Sequence, residues 1–199
     1  MTAFDHRVVS REAFEERYRE NPDPWNYHAS AYERGKYQIT LDSLSRERFA
    51  TAFEPACSVG ELTAMLASRC DRLLATDVSE TAVRRARQRC AHLGNVRIEC
   101  RDLRTEPWAG LGREEGFDLI VFSEVGYYFD VELLSKLARR LAGALNAQGE
   151  LIAVHWRGHS ADHLLHGDEV HRTLSDSLPL QHRLGERHPG FRLDSWVKT

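Results

Sequence analysis

Between residues 51 and 155 the sequence alternates short apolar runs with longer segments of helical spacing, and this alternation limits the folds open to the chain. The apolar runs predict strands at residues 51–54, 72–76, 95–100, 118–123 and 150–155. The intervening segments predict helices at residues 61–68, 80–93 and 131–145. Strands separated by helices require right-handed crossovers and a parallel sheet covered on both faces. We therefore predict a doubly wound α/β fold.

The two ends of the chain depart from this pattern. A polar helix at residues 11–20 is followed by a Pro22/Pro24 break and a second helix at residues 32–44, which together predict a helical lid. At the other end, a helix at residues 161–177 precedes two short extended segments around Pro189-Gly190, a strong turn signal. We predict an antiparallel edge hairpin there, giving seven mostly parallel strands. Residues 1–199 are expected to be one domain, with residues 1–45 as the lid and residues 46–199 as the α/β core.

Length and charge narrow the class of protein. A chain of 199 residues with 42% hydrophobic residues can cover one core. No apolar run has the roughly 18 to 20 residues that cross a bilayer, so we expect a cytoplasmic protein without a membrane partner. The net charge of -3 argues against nucleic acid as a partner and favours a small acceptor. The four cysteines lack metal-site or disulfide spacing, so they are predicted to be free thiols.

The turn after the first strand is where an open parallel sheet binds ligands. It reads Phe53-Glu54-Pro55-Ala56-Cys57-Ser58-Val59-Gly60 and lacks the G-x-G-x-x-G pattern that lets a backbone approach a pyrophosphate. Gly60 is its only glycine, and an acid, Glu54, opens it. Such a loop suits a ligand with an ammonium and a sulfonium, which favours S-adenosylmethionine over NAD.

Two further acids end the second and third predicted strands. Asp77, followed by Val78, can accept hydrogen bonds from the paired hydroxyls of a ribose, and Asp102, followed by Leu103, from an adenine amino group. Ser123 ends the fourth strand at the same edge. Each acid also has a purely structural interpretation, as a residue of a helix N-terminus or a turn. Three acids at successive strand ends favour a ligand site.

This set of residues resembles the class I, Rossmann-like S-adenosylmethionine-dependent methyltransferases. With Asp23-Pro24-Trp25-Asn26-Tyr27 and Tyr32-Glu33-Arg34-Gly35-Lys36-Tyr37, the chain looks like the nodulation protein S family over nearly its whole length. That family N-methylates the free amino group of a deacetylated chitooligosaccharide, which implies an amine or amino-sugar acceptor and S-adenosylhomocysteine as product. Ala56 and Ser58 depart from the superfamily pattern, which usually has glycines there.

Candidate site residues follow from the strand ends and the lid. For catalysis, His155 is our first choice as general base, Glu124 can orient an amine, and Tyr127 with Tyr128 can wall off the sulfonium. A packed strand-end histidine and a packed tyrosine wall are the structural alternatives. In the lid, Arg34 can pair with the methionine carboxylate, and the aromatic side chains can either cover the cofactor or only anchor the lid. The predicted cofactor-binding residues are Trp25, Arg34, Tyr37, Glu54, Ala56, Cys57, Gly60, Asp77, Val78, Asp102, Leu103 and Ser123.

The same residues leave some alternative functions open and disfavour others. An O-methyltransferase acting on a small metabolite and a non-catalytic adenosylmethionine-binding protein remain open. Ser123-Glu124-Val125-Gly126-Tyr127 lacks the Pro-Pro-aromatic pattern of nucleic-acid methyltransferases, and the missing glycines disfavour an oxidoreductase. His159 and His163 have a metal-site spacing, but without H-E-x-x-H no metal is expected. The sequence leaves the oligomeric state open.

Overall fold

A seven-stranded mixed sheet organises the computed structural model, which describes residues 9–105 and 116–199. In spatial order β3-β2-β1-β4-β5-β7-β6, the first five strands run parallel, and β7 lies antiparallel to both β5 and β6. The predicted fold class is therefore confirmed. The strands are β1 (Phe49–Pro55), β2 (Cys70–Asp77), β3 (Val96–Cys100), β4 (Phe117–Ser123), β5 (Leu145–Trp156), β6 (Gln181–Arg187) and β7 (Phe191–Val197).

Within the described residues, six α-helices and two short 3-10 helices connect these strands and cover them. The α-helices are α1 (Arg11–Glu20), α2 (Ala31–Asp42), α3 (Glu61–Leu66), α4 (Glu80–Arg89), α5 (Val131–Ala144) and α6 (Gly167–Ser177). The 3-10 helices are Ala67–Arg69 and Gly126–Tyr128. No helix within residues 9–105 and 116–199 is long and apolar enough to cross a membrane.

Apolar side chains bury both faces of the sheet. On α5, Leu134, Leu137, Ala138 and Leu141 recur at three- and four-residue intervals and are completely buried, as expected for a helix packed on a sheet. They belong to the core on one face, and α2 and α3 pack into the core on the other. Because β1 and β4 lie inside the sheet, their carboxyl ends lie between these two layers.

The structure corrects one helix boundary that matters for the site. Residues 161–166 precede α6 in turns and bends, whereas the sequence predicted that the helix begins at residue 161. His166 is the N-cap of α6 and forms a capping box with Glu169. The preceding segment is fixed by tertiary contacts, since Asp162 pairs with Arg17 at 2.6 Å and the Leu164 amide donates to the Tyr127 carbonyl. These contacts favour turns over a longer helix.

The described part of the N-terminal segment packs across the carboxyl ends of the strands, where the sequence predicts a lid. Residues 1–8 of that lid lie outside the described residues. Within α1, the Glu15 carboxylate accepts hydrogen bonds from the Ser79 hydroxyl at 2.6 Å and from the Thr81 amide and hydroxyl at 3.1 and 2.7 Å. Ser79 caps α4, so Glu15 adds a negative charge at the positive end of that helix. The lid is thereby anchored to the core.

Candidate active site

A cavity opens at the carboxyl ends of the strands, beneath the lid. About 970 Å³ of space free of protein atoms lies in and around it, and this figure includes the open solvent at its mouth. The residues of β1, β2 and β4 and the turns that follow them form its floor, and α1 with the segment after it forms its roof. Its lining is Val9, Phe14, Tyr18, Trp25, Tyr27, Tyr37, Glu54, Ala56, Cys57, Ser58, Glu61, Leu62, Asp77, Val78, Arg101, Asp102, Leu103, Arg104, Ser123, Glu124, Val125, Tyr128 and Phe129.

Glu54 lies at the floor of this cavity, near the end of β1. Its side chain is buried, and its Oε2 has no hydrogen-bond partner among the described residues. Burial raises the pKa of Glu54 to about 8, and the charge of Asp77 adds to the effect. A buried carboxylate oxygen without a donor is costly. A ligand cation that donates to Oε2 would remove that cost.

Asp77 lies at the end of β2 and holds the loop that follows β1. Its carboxylate accepts from the Ser58 amide at 2.9 Å and the Ser79 amide at 3.0 Å. Burial raises the pKa of Asp77 to about 6, although these amides act in the opposite direction. A carboxylate has about four acceptor positions, so oxygens that hold two amides can also accept from two hydroxyls of a ligand.

Asp102 lies beyond β3 and is already ion-paired. Arg104 donates to both of its carboxylate oxygens, with Nη2 to Oδ2 at 2.7 Å. Burial opposes ionisation, but the Arg104 hydrogen bonds lower the pKa of Asp102 below its usual 3.8. Arg104 also donates to the Val9 carbonyl at 3.4 Å, so this pair closes the cavity against the start of the lid.

The β1 loop uses left-handed backbone conformations at residues that are not glycine. Ala56 has φ 59° and Ser58 has φ 51°, at the two positions where the superfamily usually has glycines. Glu124 has φ 55°, so a third cavity residue shares this conformation. Such conformations are uncommon for residues with a Cβ and mark strain at functional sites. The loop therefore takes left-handed conformations, which favour glycine, at residues that carry a Cβ.

Replacing Ala56 by glycine is therefore expected to stabilise the ligand-free protein by about 1 kcal/mol, because glycine adopts a positive φ without the Cβ clash. Urea unfolding measures the change. Ala52→Gly is the control, since Ala52 lies in β1, four residues before Ala56, is buried and has no positive φ. It should destabilise the protein. Equal losses of stability in both variants would show that the Ala56 backbone is not strained.

Gly60 has a structural role that differs from its predicted one. It adopts φ 82° as the N-cap of α3, and a Cβ there would lie 3.0 Å from the Ala86 Cβ. It is not part of the cavity lining. The packing of α3 on α4 therefore explains this glycine, and its predicted cofactor contact stays a prediction.

Aromatic side chains of the lid cover the cavity. The Tyr18 hydroxyl donates to the Ser58 Oγ at 2.7 Å, the Trp25 ring packs edge-on against Tyr18, and the Tyr27 ring stacks on Trp25. Trp25 and Tyr37 line the cavity where the sequence placed them, but Arg34 does not. Arg34 is exposed and donates to the His28 carbonyl at 3.0 Å. The predicted pairing of Arg34 with a cofactor carboxylate is corrected, because Arg34 lies on the exposed face of α2.

Replacing Glu15 by alanine is expected to weaken lid docking by about 2 kcal/mol, roughly thirty-fold in the closing equilibrium, because the variant loses the charged hydrogen bonds to Ser79 and Thr81. Hydrogen exchange of the α1 amides measures this change. Glu16→Ala is the matched control, one residue along α1 on its exposed side. Unchanged exchange in Glu15→Ala would mean that other contacts hold the lid.

Glu124 lies beyond β4 at the opposite end of the cavity from Asp102 and forms the centre of a buried polar cluster. Its Oε1 accepts from the Lys36 Nζ, and its Oε2 accepts from the Tyr127 hydroxyl at 2.5 Å and the Trp156 amide at 3.1 Å. Lys36 is 2% exposed and also pairs with Glu33 at 2.8 Å. Since three of about four acceptor positions are used, one position on Oε1 remains for a ligand.

Tyr127 and His155 are placed behind the cavity wall. The Tyr127 ring stacks on His163 with ring centroids 3.7 Å apart, and its hydroxyl supports Glu124. His155 is completely buried, and burial lowers its pKa well below 6.5. Neither residue belongs to the cavity lining. The prediction of His155 as a general base is corrected, because a base must reach the proton it accepts. Tyr128, next to Tyr127, supplies the aromatic wall.

Several lining residues have no signal in the sequence pattern. The lid aromatics Phe14, Tyr18 and Tyr27 come from a polar helix and a proline-rich turn, where strand-end reasoning does not apply. Arg101 and Arg104 flank Asp102 and could have been found as charges adjacent to a predicted ligand acid. Among the described residues, no group of three potential ligands is placed to hold a metal ion.

The strand order, the antiparallel β7 and the position of the cavity define a class I, Rossmann-like methyltransferase fold. Residues 10–173 match the family model of nodulation protein S, and the chain belongs to that family. Nodulation protein S of Bradyrhizobium diazoefficiens is 32% identical over 150 residues, which are 74% of this chain and 66% of that protein. The protein of the same name from Rhizobium tropici is 33% identical over 65% of this chain and 53% of its own length. The matches thus span less than two thirds of these curated relatives.

Solved structures agree with this assignment of fold. A crystal structure of a putative methyltransferase from Pseudomonas syringae is 37% identical, with a TM-score of 0.71 and coverage of 85% of this chain and all of that one. The N-methyltransferase NodS of Bradyrhizobium japonicum, solved with S-adenosyl-L-homocysteine, is 24% identical, with a TM-score of 0.80 and coverage of 94% and 98%. These structures show the same fold, and the match of residues 10–173 to the family model confirms the resemblance to the nodulation protein S family.

Proposed function

We propose that the chain is an S-adenosylmethionine-dependent methyltransferase that methylates the nitrogen of a small amine or amino sugar and releases S-adenosylhomocysteine. Residues 1–45 act as the lid of a single domain whose core is residues 46–199. The buried, unpartnered Oε2 of Glu54 carries the proposal, because a cationic donor inside the cavity would supply the missing hydrogen bond and stabilise the carboxylate form. Membership of the nodulation protein S family supports the same activity.

The residues of the cavity fit this cofactor. Glu54 would accept from the ammonium of the methionine part, and Asp77 would accept from the ribose hydroxyls. Asp102 and Leu103 would border the adenine, and the rings of Tyr18 and Trp25 would present π faces towards a cation. When bound, the cofactor supplies a methyl group whose bond to a positively charged sulfur breaks as the acceptor nitrogen bonds to the carbon.

The Glu124 end of the cavity suits the acceptor. An amine donates a hydrogen bond to the free position on Glu124 Oε1, which orients the nitrogen lone pair towards the interior. Lys36 balances part of the charge of Glu33 and Glu124, so that Glu124 can accept a hydrogen bond from a neutral amine as well as from an ammonium ion. The nitrogen gains positive charge during methylation, and Glu124 then accepts the proton that leaves it. The lid aromatics exclude water from the cavity.

Methyl transfer to matched acceptors tests the proposal. Glucosamine oligomers with a free terminal amine should be methylated, whereas their N-acetylated counterparts should not. Glu124→Gln should lower kcat by roughly a hundred-fold, because the amide accepts no proton, and should leave the Kd for adenosylhomocysteine within about three-fold. Glu132→Gln, at an exposed surface pair, is the matched control. Methylation of a hydroxyl, or of the acetylated and free amines alike, would contradict the proposed acceptor.

A further inference from the structure

Three buried side chains connect β7 to the backbone behind the Glu124 end of the cavity. The Gly126 amide donates to His155 Nε2 at 3.0 Å, His155 Nδ1 lies 3.1 Å from His171 Nε2, and His171 Nδ1 lies 2.6 Å from Asp194 Oδ2. Both imidazoles are completely buried, and Asp194 is 2% exposed. We call this chain of contacts the His155 relay.

One backbone group fixes every proton of the His155 relay. A backbone N–H can only donate, so the Gly126 amide requires an unprotonated Nε2 on His155. Neutral His155 then carries its proton on Nδ1 and donates to His171 Nε2. His171 in turn carries its proton on Nδ1 and donates to the Asp194 carboxylate. Burial lowers the pKa of both imidazoles, which agrees with two neutral rings.

The His155 relay ends on the segment that walls the Glu124 end of the cavity, which we call the acceptor wall, residues 124–129. Gly126 starts its 3-10 turn and is packed so tightly that a Cβ would lie 2.4 Å from the Val170 Cγ1. The acceptor wall contributes four lining residues, Glu124, Val125, Tyr128 and Phe129. A shift of Gly126 would therefore move side chains on both sides of it.

We propose that the His155 relay is a positioning device for methyl transfer, which holds Glu124 and Tyr128 in register with the bound acceptor through the Gly126 amide. His155 is thus a positioning residue that contacts neither substrate nor cofactor. This role rests on the proposed function. Because misplacement by about 1 Å can cost a hundred-fold in rate, one anchored amide can have a large effect. The cofactor acids Glu54 and Asp77 lie on other strands, so cofactor affinity should not depend on the relay.

Two substitutions at His155 separate positioning from packing. In His155→Asn the short amide reaches the Nδ1 position and faces His171, but the Gly126 amide loses its acceptor. In His155→Gln the longer side chain places its carbonyl oxygen near the Nε2 position, where it accepts from Gly126. We expect kcat to fall by roughly ten- to hundred-fold in His155→Asn and by less than about three-fold in His155→Gln. Both variants should bind adenosylhomocysteine within about three-fold of the wild type.

His182→Asn is the matched control, since His182 contacts the other oxygen of Asp194 from an exposed position outside the relay. Equal losses of kcat in His155→Asn and His155→Gln, in proportion to their thermal destabilisation, would overturn the proposal in favour of core packing.

A spectroscopic measurement on the wild-type protein is independent of whether these variants fold. Long-range ¹H–¹⁵N NMR spectra should show both imidazoles neutral with the proton on Nδ1. A proton on His155 Nε2 would overturn the His155 relay. Failure of the proposed function is distinguishable, because the wild type would then methylate no acceptor while the NMR spectra still gave these tautomers.

Discussion

Glu54→Gln should weaken the binding of adenosylmethionine and adenosylhomocysteine by roughly thirty- to a hundred-fold. The variant keeps the shape of the side chain but replaces a charged hydrogen bond to the ligand ammonium with a neutral one, and charged hydrogen bonds contribute about 1.5 to 3 kcal/mol. Titration calorimetry measures the loss. Glu150→Gln is the matched control, because Glu150 is equally buried but its oxygens already accept from Ser45 and Arg183. It should affect stability and leave ligand affinity unchanged.

The same residue predicts a pH dependence of binding. With a pKa of about 8 in the free protein, Glu54 is protonated at neutral pH, and a bound ammonium favours the carboxylate. Ligand binding should therefore release a proton near pH 7, and affinity should rise with pH up to about 8. Calorimetry in buffers with different ionisation enthalpies measures the released proton. Affinity that is independent of pH, together with full affinity in Glu54→Gln, would contradict the assigned role.

Stability should change in the opposite direction from affinity. Between pH 4.5 and about 8 the folded protein keeps a proton on Glu54 that the unfolded chain has lost. The raised pKa therefore contributes stability fully below pH 4.5, and this contribution is lost as pH rises through about 8. Glu54→Gln should then unfold at a higher urea concentration than the wild type above pH 8, in the absence of ligand. A variant that gains stability while losing affinity marks a residue kept for binding.

Lys36→Met should destabilise the protein by about 3 kcal/mol and abolish detectable turnover. The substitution leaves Glu33 and Glu124 without their shared counter-charge, and removing one partner of a buried ion pair has effects of this size. Burial lowers the pKa of Lys36, but the charges of Glu124 and Glu33 outweigh burial and raise it above 10.5. Urea unfolding and the methyl-transfer assay measure the two losses.

An exposed pair provides the matched control for this effect. Lys136 pairs with Glu132 at 2.6 Å, but both side chains are mostly exposed, so Lys136→Met should change stability by less than about 0.5 kcal/mol. Adding Glu124→Gln to Lys36→Met should recover part of the lost stability, because one uncompensated charge disappears. The absence of any such recovery would show that Lys36 acts through packing alone.

The sequence predicted the floor of the cavity well and its surroundings less well. Glu54, Asp77 and Asp102 follow strands whose apolar runs are unambiguous, and parallel strands bring their carboxyl ends to one edge. The same pattern does not predict towards which face of the sheet a side chain at a strand end points. His155 follows the strong apolar run of β5, but it points towards α6 and His171 because of tertiary packing that no local pattern encodes. Periodicity located the strand end and left the side-chain direction open.

The lid illustrates a second limit of sequence reasoning. Its helices were predicted from spacing and proline breaks, yet Arg34 follows the exposed face of α2, while Lys36, two residues later, is buried at Glu124. A buried lysine is rare and needs a carboxylate partner. The partner of Lys36 is Glu124, which lies in the turn after β4 and far away in the sequence, so the pair could not be predicted. Ala56 and Ser58 were noted as departures from glycine, and only the backbone angles reveal that they keep the left-handed conformation.

Calorimetric titration of the wild-type protein with S-adenosylhomocysteine measures whether the cavity binds this cofactor. We expect one molecule bound per chain, with a proton released near pH 7 from Glu54, and no binding of NAD under the same conditions. Binding of NAD without binding of adenosylhomocysteine would contradict this expectation, as would the absence of binding by either ligand.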